Sequence, residues 1–269
     1  MKLGACGLAA AAAVVLTGTE ASAQVTDGLE LGLQTFSYEY KEEFDGGSIK
    51  DEGRFTGFVA NYGRPVGGFS FDARFHFAEG EIDYSASDGA RLDGVQQTVA
   101  ALELLAGRSI AASPTLTITP FVGLGSRVLL DESGGREADD GAAGYDREVG
   151  HVYIPLGAAA RFSREDGGSV VVHGQYNAVV GGRVRSDLSQ IDREFPILEN
   201  AFDGGHGLEF GAMLYSPFRG GRIGVGPVFR SWNIDQSKTV TFSDESVSIE
   251  FFEPPSKTVE VGLKLTYGF

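Results

Sequence analysis

The chain has 269 residues, with 22 basic against 37 acidic side chains and a formal net charge of −15. Its single cysteine, Cys6, lies in an apolar N-terminal stretch, so once that stretch is removed disulfides, thiolate catalysis and cysteine-bound metals are excluded. With 39 Gly, 19 Phe and a mean hydropathy of −0.06, the remainder is rich in strand and turn formers, and no basic patch interleaved with aromatics points to nucleic acid.

Lys2, an apolar core from Leu3 to Leu16, and Ala21-Ser22-Ala23 before Gln24 read as a secretory signal over residues 1–23, cleaved after Ala23. Leu3-Gly4-Ala5-Cys6 has the letters of a lipoprotein box, but it precedes the apolar core where such a box must follow it. Residues 24–269 are then expected to form one domain.

Ten segments of alternating polarity follow, joined by links that are alternately long and short. Upward segments begin near Leu29, Phe69, Leu116, Val170 and Ile223, and downward ones end near Tyr62, Ala106, Phe162, Tyr215 and Phe269. In the first, Leu29, Leu31 and Leu33 hold odd positions and the aromatics Phe36, Tyr38 and Tyr40 hold even ones, which predicts a bulge near Thr35. Phe69, Phe71, Phe75 and Phe77 repeat at period two, as do Val152, Ile154 and Leu156, then Leu208, Phe210 and Leu214. Ala100, Leu102, Leu104 and Ala106 fit either a strand or a short helix. Pro120, Pro155 and Pro227 fall inside strands, where each removes a ladder donor and predicts an irregularity.

The short links, such as Gly63-Arg-Pro-Val-Gly-Gly68 and Ser216-Pro-Phe-Arg-Gly-Gly221, are tight-turn sequences. The long links, at 41–53, 79–94, 131–148, 186–203 and 235–257, each carry a net charge between −3 and −5. Trp232, at the top of the ninth segment, is expected to anchor in an interfacial belt, and His151 to sit on the rim. The apolar part of the last link, Val247 to Phe252, is expected either to meet a partner or to fold over the mouth.

The final segment, Val259 to Phe269, is apolar or aromatic at every odd position and ends on Tyr267 and Phe269. It resembles the closing strand of bacterial outer-membrane β-barrel proteins of the small single-chain type. That resemblance implies an all-β, transmembrane, antiparallel up-and-down barrel of about ten strands, with eight or twelve as alternatives, in the outer membrane of a Gram-negative cell. It also implies that Tyr267 and Phe269 act as an assembly signal read by the barrel assembly machinery. Outer-membrane lipid and lipopolysaccharide are the implied surroundings, and an external partner is left unnamed. Short links become periplasmic turns and long ones extracellular loops, which places the acidity outside.

Positions opposite the lipid face put Asp72, Glu103, Glu209, Glu260 and Glu30 in the lumen against Arg74, Arg127, Arg161, Arg230 and Lys264, with His76 and His173. Such charges predict either a lumen cross-linked by ion pairs or a narrow charge-selective path. Inward glycines at 32, 57, 123, 125, 157, 181, 211, 224, 226 and 262 leave room for large neighbours or for water.

No catalytic set or metal centre emerges. None of His76, His151, His173 and His206 has Ser two residues later, as a His-x-Ser lipid deacylase requires. The omptin-like proteases, also ten-stranded, use an acidic pair on one loop facing an Asp/His pair on another. Glu81 and Asp83, with Asp203 and His206, correspond in loop order, but Asp203 and His206 are three apart where that family spaces them two apart. Asp131, Glu132, Glu137, Asp139, Asp140 and Asp146 match no calcium loop and would at most hold Ca²⁺ or Mg²⁺ loosely. The function expected is a surface barrel with a structural or partner-binding role. The alternatives are a narrow cation-preferring pore and an omptin-like hydrolase.

Overall fold

The computed structural model describes residues 28–243 and 248–269. The expected signal segment 1–23 with Cys6, its cleavage after Ala23, and Val247 of the last link lie outside the described residues. Ten strands follow one another as antiparallel hairpins: β1 (Gly28–Phe44), β2 (Gly47–Val66), β3 (Phe69–Ala86), β4 (Arg91–Arg108), β5 (Leu116–Asp131), β6 (Arg147–Ser163), β7 (Ser169–Asp187), β8 (Gly205–Phe218), β9 (Gly221–Ile234) and β10 (Ser256–Gly268). A short piece, Ile197–Phe202, prolongs β8 along the upper part of β7. The sheet closes on itself because β10 pairs β9 on one side and β1 on the other, with Glu260 opposite both Arg230 and Tyr38. Closure leaves no edge unpaired, which an interior without water demands.

Alternation along each strand sends one set of side chains outward and the other into the lumen. Towards the short turns, the outward set is apolar: Leu31 and Leu33 on β1, Phe69 and Phe71 on β3, Leu102 and Leu104 on β4, and Leu263 and Leu265 on β10 are all exposed. This belt is carried by about the 9–11 tilted residues that cross a bilayer. The segment that also fitted a helix, around Leu102, is therefore strand, and no helix among the described residues is long and apolar enough to cross a membrane.

Towards the long links the polarity reverses. The outward residues of β1 to β3 become Glu39, Lys41, Lys50, Glu52, Arg54, Glu79 and Glu81, while Phe36, Tyr38, Tyr40, Phe55, Ile82, Val95 and Val99 point inward and are buried. Here the barrel rises beyond the apolar belt and is packed like a soluble β protein. The expected bulge at Thr35 is corrected: β1 keeps an unbroken register with both neighbours, and its aromatics change from outside to inside only in the sense that the apolar face changes sides. Links 41–53 and 79–94 are likewise mostly strand, and the first shrinks to a turn at Asp45-Gly46. Their outward charges, with apolar residues only on the hidden face, gave them the look of loops.

The three strand prolines all sit at interruptions of pairing. Pro120 lies between the pairs Gly107–Phe121 and Ile110–Ile118, Pro155 between Val122–Leu156 and Gly125–Tyr153, and Pro227 between Gly211–Val228 and Leu214–Val225. A further shift near Val152 inserts Val180 as an extra residue in β7. Gly181 is consequently paired with outward Val152 rather than turned into the lumen, which corrects that expectation.

Seven inward glycines face aromatic residues. Gly80 pairs with Phe55, Gly262 with Phe36, Gly157 with Phe121, Gly125 with Tyr153, Gly182 with Phe202, Gly207 with Trp232 and Gly224 with Tyr215. In each case a Cβ added to the glycine would come within 2.9 Å of that neighbour. Each aromatic lies across the bare backbone of the next strand, so the room left by glycine is taken by large neighbours, and the lumen is filled from its own walls.

Candidate functional site in the lumen and at the mouth

At the level of the belt, the lumen holds a charged layer. Arg127 on β5 donates from Nη2 to Glu260 Oε1 at 2.6 Å, and Arg230 on β9 donates to Glu260 Oε2 at 3.0 Å and, through Nε, to Glu209 Oε2 at 2.8 Å. His173 on β7 stands 3.0 Å from the other oxygen of Glu209. Glu103 accepts from the Tyr153 hydroxyl at 3.0 Å and from Gln175 Nε2 at 2.6 Å, and lies 3.7 Å from Arg74. Lys264 and His76 face the same layer, beside a void of about 30 Å³, on the order of one water's volume. Nearer the turns, Glu30 accepts from Asn61 at 3.1 Å, and Asp72 and Arg161 also point inward.

The ten charges at lumen parity, Glu30 among them, point inward, and Arg127, Arg230, Glu103, Glu209 and Glu260 are each no more than 9% exposed. Sequence reasoning missed their neutral partners Tyr153 and Gln175, and Asn177, which accepts from Gln175 at 2.7 Å. Uncharged polar residues at inward parity were the available signal.

Above this layer lies an aromatic one. Trp232, expected in the interfacial belt, is instead 4% exposed inside the barrel, because it shares the inward parity of Arg230. Its ring stands 4.9 Å from that of Tyr153 and 4.8 Å from that of His151, with the Arg127 guanidinium 5.8 Å from it. His151 is correspondingly buried in the lumen rather than placed on the rim.

At the open end the fold builds a cup. A cavity of about 160 Å³ is lined by Tyr40, Asp51, Ile82, Tyr84 and Asp131 from the barrel and by Ala138, Ala143, Gly144 and Tyr145 from the third link, with Arg147. The third link is pinned as a wall: Arg136 donates to the carbonyls of Asp93 and Gly94, Asp139 caps the backbone N–H of Arg91, and Asp146 accepts from Gly134 and Gln190. The last link reaches back over the mouth through Glu253, which accepts from Arg147 at 2.8 Å and from Ser186 at 3.0 Å. Ile249 and Phe252 on that link stay exposed. Arg147 also donates to Glu42 at 2.9 Å, and Glu42 in turn accepts from the Tyr40 hydroxyl.

Asp51 and Asp131 meet through Gln97, whose Nε2 lies 3.4 Å from one carboxylate and 2.6 Å from the other. Among the described residues, no cation pairs with either carboxylate. Burial first, then the charge of Asp131, pushes the Asp51 carboxyl up to about 7, and burial together with Asp51 lifts the Tyr84 phenol to about 12.

The four residues of the hydrolase expectation are not gathered. Glu81 and Asp83 are exposed on the outer face of β3, where Asp83 caps the N–H of Gly94. Asp203 is exposed and held by Lys238 at 2.5 Å, while His206 stacks on outward Tyr176. The rim carboxylates serve largely as turn caps, and among the described residues no group of three or more His, Cys, Asp or Glu could hold a metal ion.

A closed ten-stranded barrel with an apolar belt and a polar, filled lumen is the architecture of a single-chain transmembrane β-barrel. No protein-family model and no curated protein matches the chain. Among solved structures it is similar to the outer membrane protease OmpT from Escherichia coli, at 10% identity and a TM-score of 0.60, over 93% of this chain and 99% of that one. It also matches the transport unit of the autotransporter AIDA-I from Escherichia coli, at 9% identity and a TM-score of 0.43, over 89% and 90% of the two chains. The Pseudomonas putida toluene transporter TodX matches at 11% identity and 0.37, over 89% and 88%. At such identities the likeness to OmpT establishes the fold.

Proposed function

We propose that the protein is an outer-membrane surface barrel, sealed through its lumen, that works at its extracellular mouth by binding an external partner. The observation that carries this is the charged layer: Arg127 reaches Glu260 across the barrel, and Arg230 ties Glu260 to Glu209. A continuous water path would have to break these buried pairs, at a cost of several kcal/mol each. The outward apolar belt favours lipid as surroundings. The pairs Lys41–Glu39 and Lys50–Glu52 on the outer face above it suit contact with lipopolysaccharide headgroups. Divalent ions loosely screening the acidic rim fit the same setting, and the barrel assembly machinery would meet the strand ending at Tyr267 and Phe269.

The test is a planar-bilayer recording on refolded protein in a KCl gradient. A barrel that inserts, shows heat-modifiable mobility and stays silent supports the reading. Steady cation-selective steps would refute it in favour of the pore.

A further inference from the structure

We propose that the mouth cavity binds a small amphipathic organic ammonium ion, its charge held by Asp51 and Asp131 and its apolar body set against Tyr40, Tyr84 and Tyr145. This deepens, and rests on, the reading of the mouth as the working face.

Charge comes first. Asp51 is only 7% exposed, lines the cavity and, among the described residues, accepts one long hydrogen bond, from Gln97 at 3.4 Å. Arg147 is nearby but already held by Glu42 and Glu253, at 2.9 and 2.8 Å. Arg147 acts on Asp51 only through space, and no cation of the described residues forms an ion pair with Asp51 or Asp131. Neutral donors alone hold these carboxylates, Gln97 for Asp51 and Gln97 with Ser133 for Asp131; a carboxylate taken out of water on neutral donors stays costly, and an incoming cation lowers that cost.

The walls then select the cation. Hard metal ions such as Ca²⁺ take about six to eight oxygen ligands, whereas the cup offers two carboxylates beside phenol rings and the apolar side chains of Ile82 and Ala143. Rings and alkyl groups favour a cation that carries carbon, because an ammonium gains from aromatic faces and its body gains from leaving water. A volume of about 160 Å³ is well below the roughly 300 Å³ where drug-sized pockets begin, so the ligand has the dimensions of one ring plus an amine. Near neutral pH the Asp51 carboxyl, raised by burial and by Asp131, is partly protonated. The groups facing it are Asp131, Glu42 and Arg147, with the phenols of Tyr40, Tyr84 and Tyr145. Binding of an ammonium at that pH therefore releases a fraction of a proton per ligand.

Isothermal titration calorimetry of the refolded protein in detergent at pH 7 tests this, with benzylamine as probe and benzyl alcohol and benzoate as neutral and anionic controls. We expect one benzylamine per barrel, proton release read from two buffers of different ionisation heat, and no binding of either control. Asp51→Asn, and Ala143→Phe which fills the cavity without changing charge, each weaken binding at least tenfold while keeping heat-modifiable mobility. Benzyl alcohol binding as tightly as benzylamine, affinity unchanged in both variants, or no heat from benzylamine at millimolar concentration overturns the proposal. So does Ca²⁺ binding that Asp51→Asn abolishes when benzylamine gives none. Conductance recorded on the same preparation separates the two levels. A silent barrel that ignores benzylamine refutes the ligand but leaves the sealed barrel standing, whereas a conducting barrel refutes both.

Discussion

Arg127 and Glu260 are 133 residues apart in the chain and five strands apart around the barrel in either direction, yet their side chains meet at 2.6 Å. Two side chains thus span the full lumen. Arg147 on β6 and Glu42 on β1 repeat the arrangement one level higher, again five strands apart. A barrel braced across its diameter at two heights has its walls coupled through the interior as well as through the ladders.

The lower brace is expected to matter most when only half of it is removed. Arg127→Met leaves Glu260 buried with one partner fewer and should cost about 3–5 kcal/mol. Glu260→Gln should cost a similar amount, because it takes the carboxylate from Arg127 and leaves Arg230 with Glu209 alone. The double variant is expected to lose less than the sum of the singles. Urea unfolding in detergent, run as a double-mutant cycle, measures the difference, and strict additivity would show that the pair is not coupled.

Gly125 is occupied ground. An added Cβ would lie 2.3 Å from the ring of Tyr153, which crosses Gly125 to reach Glu103. Gly125→Val should therefore displace the ring and destabilise by about 1–3 kcal/mol. Tyr153→Phe loses only the hydroxyl contact and should cost less, about 1 kcal/mol. Melting temperatures of the two variants check the order.

The pH dependence of stability should carry the signature of Asp51. Its folded carboxyl titrates near 7, above its ordinary value. Between those limits the folded state binds the proton more strongly, so wild-type stability relative to Asp51→Asn falls as pH rises from about 4 to about 7 and is flat above. Denaturant midpoints of both proteins at pH 5, 6, 7 and 8 give the comparison. Wild-type stability that rises relative to Asp51→Asn with increasing pH would contradict the burial of this group.

Glu253 is expected to hold the last link down on the mouth. Glu253→Ala removes the acceptor shared by Arg147 and Ser186, so proteolytic cleavage within residues 235–255 should accelerate several-fold while the barrel itself resists. Unchanged cleavage would mean that the contacts of Asn200 with the carbonyls of Lys238 and Phe251 suffice.

Deletion of Phe269 tests the proposed assembly signal. Its ring packs edge-on against Tyr267 and its N–H bonds Leu29, so folding in detergent should change little while insertion in cells drops. Equal insertion would remove the terminal aromatic from that role.

The sequence by itself determined the ten-strand architecture and the inward set of charges. Period-two alternation is a local property, and the parity of Arg230 or Glu260 follows from the lipid-facing residues beside them. The same rule applied to Trp232 would have turned it inward, and the aromatic preference for interfaces overrode it wrongly. Parity also failed at Gly181, since an extra residue in β7 cannot be seen in a single strand.

Only the tertiary structure decided where the apolar face changes sides. Phe36, Tyr38 and Tyr40 read as lipid-facing residues out of phase until the belt ends and the strands continue past it. Pairing across the barrel was equally invisible, because Arg127 finds Glu260 through closure and stagger of ten strands rather than through spacing. The cup is a further step removed. Asp51, Gln97 and Asp131 come from three strands, and their walls from a link whose fold depends on those strands; the desolvation that makes Asp51 unusual exists only once the third link has closed over it.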